Sequence, residues 1–393
     1  MILIDPPNAE GHGRLWSHVA SDESFDELHA FARELGIPER GFDRDHYDVP
    51  AEWYDRVVEA GATPVSSREL IARLRRAGLR RRKTEVLGPR APGRSLIRPE
   101  GLAPGDLVAI TGPSGPVDPH RLAAGIERLE SWGLKVAAPS AALAPTLPWF
   151  ADSDEARAAA FAAAWTDPEV RAVIATRGGY GAQRIVDLLD WTALATAGPK
   201  LLVGFSDITA LHQAFGARLG LVTVHGPSAA SLADRDQGTL EALRALLFDG
   251  ETAPVTGLTT GSPGTARGPL TGGNVTVLAA SVGTPHSGRG AGAIAVLEDV
   301  GERPYRLDRS LTQLLRSGWF DDVRGIVCGE FTDCGDPGEL RTMLDARLGD
   351  LGVPVAYDAP IGHGPTNRAL PFGARATLDA GAGTLTIDED ALR

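Results

Sequence analysis

The spacing of apolar residues in the middle of the chain changes from that of a strand to that of a helix across residues 204–207. Leu201-Leu202-Val203 is a short apolar run typical of a buried strand, and Ile208, Leu211 and Phe215 then recur at helical spacing. The pattern therefore predicts a tight turn from strand to helix at Gly204-Phe205-Ser206-Asp207. Such a turn lifts the serine side chain out of the sheet, beside the free N–H groups of the first helical turn.

Short apolar runs alternate with helical periods over residues 102–250. The predicted strands are Leu107–Ile110, Leu134–Ala137, Ala172–Ala175 and Leu201–Phe205, and the predicted helices are Pro119–Gly133, Ser153–Thr166, Ala182–Leu189 and Gln237–Phe248. Strands that alternate with helices form a parallel sheet, whose functional loops lie at the carboxyl ends of the strands. The predicted fold class is α/β, with a parallel-sheet domain in the middle of the chain.

The segment before this domain is predicted to be a separate unit. Residues 1–84 have the pattern of a small α/β domain, with a strand at Ile2–Ile4 and amphipathic helices at Phe25–Gly36 and Ser67–Gly78. Residues 85–99 are rich in proline, glycine and arginine, which is typical of a linker.

The segment after it is richer in β-strand signals. Gly- and Thr-rich sequence near residue 250 marks a boundary between a domain at 100–250 and a β-rich α/β domain at 251–393. In the latter, Gly268–Asn274 is predicted to be a turn, Ala293–Leu297 a strand, and the tail a closing hairpin.

Composition narrows the class of protein. With 393 residues, 43% of them apolar, the chain suits two or three domains, and no run approaches the roughly 18 apolar residues of a membrane span. A formal net charge of −12 argues against nucleic acid as a partner, because both surfaces would be negative. Met1–Pro7 has neither the basic nor the long apolar region of a secretory signal, so we expect a cytoplasmic protein that acts on small molecules or peptides.

Three residue types that acyl transfer requires follow predicted strands in separate loops. They are Ser206, Glu298 and His363. In such a set the histidine accepts the serine proton, and the carboxylate orients the histidine. Each residue also has a structural alternative: Ser206 or Asp207 caps the following helix, Glu298 pairs with an arginine, and His363 bonds to backbone in a turn.

The glycine-rich segment Arg177-Gly178-Gly179-Tyr180-Gly181 follows another predicted strand. Its glycines would let backbone N–H groups approach a phosphate or an oxyanion closely. It lacks the spacing of dinucleotide-binding and Walker loops, so a tight turn with a helix cap is the alternative.

Histidines and carboxylates concentrate in the N-terminal unit. They are His12, His18, His29 and His46, with Asp5, Asp43, Asp45 and Asp48. These side chains suit a metal or phosphate site, and the alternative is a hydrogen-bonded surface with histidines as caps and turn residues, because no fixed ligand spacing occurs. The unit resembles a small uncharacterised domain family that shares the stretches Gly13–His18 and Arg44–Pro50. We expect a metal- or nucleotide-linked accessory module.

Residues 102–393 resemble the L,D-carboxypeptidase family of serine peptidases, which includes muramoyltetrapeptide carboxypeptidases and microcin C immunity peptidases. The stretches that carry the resemblance occur in the family's order and are Leu102–Asp106, Arg177–Gly181, Gly204–Asp207, Gly272–Asn274, Leu297–Asp299 with Pro304–Arg309, and Gly362–Gly364.

The resemblance implies a catalytic triad. In it Ser206 is the nucleophile, His363 the general base and then acid, and Glu298 the residue that orients the imidazole. Glu302 is a rival for the third role, and we prefer Glu298 because it directly follows a strand. The resemblance also implies an oxyanion hole formed by the Asp207 N–H and an N–H from Gly178-Gly179.

The family's activity implies the substrate class. We expect hydrolysis of an L,D-peptide bond, such as that of the terminal D-Ala of a murein tetrapeptide, during peptidoglycan recycling by a cytoplasmic homodimer without cofactor or metal. One alternative is an amidase that detoxifies microcin C-like peptidyl- or aminoacyl-nucleotides. Another is a non-catalytic ligand- or nucleotide-binding protein. Residues 1–84 depart from the family pattern, which leaves the substrate of this chain open.

Overall fold

The described chain forms two units, Met1–Pro92 and Gly93–Arg393. The computed structural model describes residues 1–11, 14–38, 41–43, 45–77, 79, 96–138 and 147–393. His12 and residues 85–95 of the predicted linker lie outside the described residues. Ile97 forms a β-bridge with Leu221, so the end of the predicted linker is attached to the second unit.

The first unit is a mixed sheet with helices on both faces. Its strands are β1 (Ile2–Ile4), β2 (Ala9–Gly11), β3 (Arg14–Ser21), β4 (Phe42–Asp43), β5 (His46–Pro50) and β6 (Thr63–Pro64), and its helices are α1 (Phe25–Glu34), α2 (Tyr54–Glu59) and α3 (Ser67–Arg76). The strand order is β4-β5-β3-β1-β6, with β2 also paired to β3. Ile4 and Val19 pack with Leu28 of α1 on one face, and Leu3 and Ala20 pack with Leu74 of α3 on the other.

The second unit begins with the predicted parallel sheet. Its strands are β7 (Leu107–Thr111), β8 (Lys135–Ala137), β9 (Val170–Ala175), β10 (Leu201–Gly204) and β11 (Thr223–His225), and its helices are α4 (Pro119–Ser131), α5 (Asp154–Thr166), α6 (Ala182–Val186), α7 (Trp191–Thr196), α8 (Thr209–Leu219) and α9 (Gln237–Asp249). The strands run parallel in the order β11-β10-β9-β7-β8. Apolar side chains fill both faces, including Leu243 on one and Phe161 and Phe215 on the other.

The chain then forms a larger mixed sheet. The elements of this part of the chain, all but β18 belonging to this sheet or its helices, are β12 (Val255–Thr256), β13 (Thr259–Ser262), β14 (Thr265–Asn274), α10 (Val275–Ser281), β15 (Ile294–Val300), α11 (Pro304–Ser317), β16 (Gly325–Thr332), α12 (Pro337–Leu348), β17 (Val355–Tyr357), β18 (Leu370–Phe372), β19 (Arg375–Asp379) and β20 (Thr384–Ile387). The strand order is β12-β20-β19-β14-β15-β16-β17-β13, and β14 to β17 run parallel. As predicted, β19 and β20 form an antiparallel hairpin.

Late segments of the chain return to the first sheet of the second unit. Strand β18 pairs antiparallel with β11, which places Phe372 opposite Thr223. Ala391 and Leu392 pack in the same apolar cluster as Leu243. The end of the chain is therefore attached to the first sheet of this unit by strand pairing and by apolar packing.

The predicted turn at Gly268–Asn274 is wrong, because these residues form most of β14. Its glycines allow β15 and α8 to approach β14 closely, and they do not reverse the direction of the chain. A Cβ on Gly272, whose φ is +126°, would lie 2.0 Å from the carbonyl oxygen of Val296 in β15. A Cβ on Gly273 would lie 2.3 Å from Thr209 Oγ1 in α8. Glycine here lets β14 lie between its neighbouring strand and α8.

We expect Gly272→Ala to destabilise the second unit, because the added methyl meets fixed backbone of β15 at a φ that side chains disfavour. The free energy of unfolding should fall by about 1–3 kcal/mol or more, as for other overpacked sites. Urea unfolding followed by circular dichroism measures this change. Gly216→Ala in α8 is the matched control, since a Cβ there meets nothing within 4 Å and helical alanine is favoured by about 0.5–1 kcal/mol. Equal unfolding midpoints for the two variants would contradict this account of β14.

Candidate active site

Ser206 lies on the predicted turn between β10 and α8 and has a strained backbone. Its φ is +65°, a left-handed conformation that residues with a Cβ seldom adopt. The residues from Ser206 to Ile208 form a single 3₁₀ turn that leads into α8. No side-chain cap hydrogen bond is found at the start of either helical segment, so capping does not explain Ser206 or Asp207. A turn of this kind presents a serine hydroxyl at the end of a sheet.

The side chain of Asp207 holds the turn in place through buried hydrogen bonds. Its buried carboxylate accepts hydrogen bonds from the Ser114 hydroxyl at 2.6 Å and the Ala182 N–H at 2.8 Å. Burial raises the pKa of Asp207, and these two hydrogen bonds oppose the rise. The side chain thus joins the loop after β7, the start of α6 and the serine turn.

The glycine-rich loop after β9 packs against Ser206. A Cβ on Gly178 would lie 2.8 Å from Ser206 Cβ and 3.0 Å from Ser206 Oγ, so only glycine lets this backbone pass so close to the hydroxyl. Gly179 has a φ of +119° and is exposed beside it. Arg157 of α5 fixes the end of this loop, because its buried guanidinium donates to the carbonyls of Gly181, at 2.9 Å, and Pro113.

His363 and Glu298 form a hydrogen-bonded pair. The His363 Nδ1 lies 2.6 Å from Glu298 Oε2, and the Glu298 side chain is fully buried. Burial raises the pKa of Glu298, and the hydrogen bond with His363 opposes this effect. Gly362 permits the contact, since a Cβ there would lie 2.8 Å from Glu298 Oε2, and its N–H donates to the buried Asn367 Oδ1 at 3.0 Å.

Glu298 lies within β15, not after it as the sequence suggested. The strand continues to Val300 because its last residues pair with β16 beyond a register shift between Leu297 and Asp299. Such an irregularity re-aims the side chain at that position. Glu302, the rival carboxylate, lies 3.6 Å from Arg306 in an ion pair.

The turn that carries Ser206 and the His363–Glu298 pair meet at Phe205. The Phe205 ring lies beside the imidazole, with ring centroids 4.9 Å apart. Phe205 directly precedes Ser206, so the fold brings the predicted serine, histidine and glutamate loops into one region although they are far apart in sequence.

A pocket of about 560 Å³ opens beside His363. Its lining combines both signs of charge and includes Arg121, Asp234, Arg235, Asp236 and Gly364. Arg235 donates to the carbonyls of Gly364 and, at 3.1 Å, Pro365, so a cation supports the histidine loop. The pocket is large enough for a small peptide terminus.

Four residues of this region carry no sequence signal that distinguishes them. Ser114, Arg157 and Arg235 bond to loops far away in the chain, and Asn367 bonds within its own loop. Each resembles any other loop or helix residue in sequence. Only the spatial pairing shows their role.

Comparison with known proteins gives the family. Residues 108–226 match the LD-carboxypeptidase N-terminal domain, and residues 267–378 match the LD-carboxypeptidase C-terminal domain. A putative carboxypeptidase of Streptomyces coelicolor is 52% identical over 307 residues, which cover 76% of this chain and 98% of the relative. The chain belongs to the LD-carboxypeptidase family. The predicted resemblance is confirmed, and the chain is a hydrolase of the serine carboxypeptidase class.

Two further LD-carboxypeptidase relatives carry more specific names. The murein tetrapeptide carboxypeptidase of Pseudomonas aeruginosa is 42% identical over 229 residues, covering 54% of this chain and 73% of the relative. The crystal structure of muramoyltetrapeptide carboxypeptidase from Oxalobacter formigenes superposes with a TM-score of 0.64 at 32% identity, covering 71% of this chain and 97% of that one. The predicted α/β fold class is confirmed.

The N-terminal unit has a separate relationship. Residues 2–77 match a family described as a protein of unknown function, DUF4031. Within the described parts of the chain, no helix has the length and apolarity that crossing a membrane requires.

Asp207→Ala should destabilise the second unit, because the Ser114 hydroxyl and the Ala182 N–H lose their buried acceptor. The expected loss is about 1–3 kcal/mol for each donor left unpaired, measured by urea unfolding. Asp207→Asn, which retains one oxygen, should lose less. Asp249→Ala at the exposed end of α9 is the control and should stay near the wild-type midpoint. If Asp207→Ala unfolds at the same urea concentration as the control, the anchoring role is wrong.

Proposed function

We propose that this chain cleaves the L,D-peptide bond before a C-terminal D-residue through an acyl-enzyme on Ser206. The observation that carries the proposal is the hydrogen bond between His363 and the buried Glu298, beside the strained turn that bears Ser206. Burying a carboxylate without a partner would cost free energy, and the imidazole of His363 supplies that partner. The same hydrogen bond fixes the orientation and the tautomer of the ring.

Each residue has a defined part in the reaction. His363 takes the proton from the Ser206 hydroxyl as the oxygen attacks the carbonyl carbon of the L-centre. It then returns this proton to the nitrogen of the departing D-residue as the peptide bond breaks. Water, deprotonated by His363, hydrolyses the ester and restores the serine. Glu298 stabilises the imidazolium cation that forms in both steps.

The oxyanion is assigned to backbone N–H groups. The Asp207 N–H and an N–H from Gly178-Gly179 are the proposed donors, and the close approach of Gly178 to Ser206 supports this assignment. Donors in such a hole contribute about 10²–10³-fold each to the rate.

The names of the relatives support a murein peptide as the substrate. The Pseudomonas aeruginosa relative is a murein tetrapeptide carboxypeptidase, and the pocket beside His363 contains cationic Arg121 and Arg235, which suit a substrate carboxylate. We therefore include peptidoglycan recycling in the cytoplasm in the proposal. The homodimer implied by the family resemblance stays a prediction.

Ser206→Ala should strongly reduce hydrolysis, because it removes the hydroxyl on which the ester forms. With L-Ala-D-Glu-meso-diaminopimelate-D-Ala as substrate, we expect kcat/KM for D-Ala release to fall by about 10³-fold or more. Intact-protein mass spectrometry of the wild type should detect the acylated chain, and the variant should not acylate. Ser131→Ala, at an exposed serine of α4, is the control. Hydrolysis retained by Ser206→Ala would end the proposal. Cleavage of an aminoacyl sulfamoyl adenosine in place of the tetrapeptide would favour the amidase alternative.

Gly178→Ala should lower kcat more than it changes KM, because the methyl displaces the serine hydroxyl without filling the pocket. We expect a fall of about 10²-fold or more, comparable to the loss of an oxyanion donor. Steady-state kinetics with the same tetrapeptide test this, with Gly216→Ala as the control. An unchanged kcat would show that Gly178 is not part of the reacting geometry.

A further inference from the structure

Three potential metal ligands share one face of the N-terminal sheet. In the antiparallel pairing of β3 and β5, His18 lies directly opposite Asp48, and His46 is two residues before Asp48. Residues two apart in a strand point to the same side, so the three side chains project from one face. The sequence already indicated that His46 and Asp48 share a face, because polar and apolar residues alternate in His46-Tyr47-Asp48-Val49. Tyr47 and Val49 lie in the core.

The ligand atoms converge at metal-site distances. Asp48 Oδ1 lies 3.2 Å from His46 Nε2 and 3.8 Å from His18 Nε2. Around a zinc-sized ion with bonds of about 2.1 Å, tetrahedral ligand atoms lie about 3.4 Å apart. All three groups offer atoms within 4.8 Å of one another.

A buried carboxylate lies at the Nδ1 atom of each imidazole and orients the ring. His18 Nδ1 lies 2.9 Å from Asp5 Oδ2, and His46 Nδ1 lies 2.6 Å from Asp45 Oδ1. Asp5 and Asp45 are 1% and 0% exposed. Their hydrogen bonds hold the Nδ1 proton, so each Nε2 lone pair is directed towards Asp48. Carboxylate–histidine–metal triads have this arrangement.

The charge of the cluster favours a bound cation. Three carboxylates surround two imidazoles. Carboxylates placed around two imidazoles in this way would stabilise a bound cation.

We propose that His18, His46 and Asp48 bind a divalent transition-metal ion of the zinc class, with Asp5 and Asp45 as orienting carboxylates. Two nitrogens and one oxygen suit such ions better than calcium or magnesium, which prefer oxygen alone. His18 and Asp48 retain 30% and 41% side-chain exposure, so the outer side is open to water. Three protein ligands with an open side are typical of zinc sites that bind a water or a substrate atom.

The test uses the full-length chain without a histidine tag, stripped of metal with a chelator. Zn²⁺ alone is added, excess is removed by gel filtration, and bound metal is measured by mass spectrometry. Co²⁺ is titrated in parallel, because its visible absorption reports nitrogen and oxygen ligation directly. We expect about one ion per chain for the wild type.

Variants locate the ion. His18→Gln and Asp48→Asn should abolish stoichiometric binding and the cobalt absorption, and Asp5→Asn should weaken affinity by about 10–100-fold. His120→Gln and Asp55→Asn, at exposed residues outside the cluster, should bind as the wild type does. Asp48 is partly exposed and Asp48→Asn conserves its shape, so this variant remains informative if His18→Gln fails to fold. Less than 0.1 ion per wild-type chain, or unchanged binding in a folded Asp48→Asn, would overturn the proposal.

Discussion

The structure around the candidate active site depends on one strained residue, Ser206. Its left-handed backbone costs on the order of 1–3 kcal/mol and persists only where neighbours hold it. Asp207, directly after it, accepts two hydrogen bonds in a buried position, and Gly178 packs on the other side of the hydroxyl. The strain is therefore balanced by contacts from two other loops, the one after β7 and the one between β9 and α6.

The second constraint is the close packing of β14 against β15 and against α8 in the second unit. Strand β18 completes the first sheet, while β14 and β15 belong to the second, and glycines in β14 leave room for Val296 and Thr209. Glu298 lies at an irregular position of β15, with its carboxylate directed to His363. The orientation of the imidazole beside the serine turn thus depends on the strand that carries Glu298.

Both units of the chain use the same device to orient histidine. A buried carboxylate bonds to Nδ1 of His363, of His18 and of His46. In the second unit one such imidazole lies beside a serine turn, which suits proton transfer. In the first unit two such imidazoles converge on Asp48, which suits a cation. The proposed proton transfer in the second unit uses one imidazole beside a serine. The proposed cation site in the first unit uses two imidazoles and the carboxylate of Asp48.

The sequence by itself determined the alternating strands and helices, the turn at Ser206 and the family, because apolar period and ordered motifs are local properties. It led to a wrong turn at Gly268–Asn274, because glycine signals either a reversal or a close approach, and only the neighbouring strand decides which. Only the tertiary structure shows Glu298, which the sequence already favoured over Glu302, bonded to His363, and only it brings His18 beside Asp48. Both outcomes depend on strand register and pairing between distant segments, which local residue patterns do not encode.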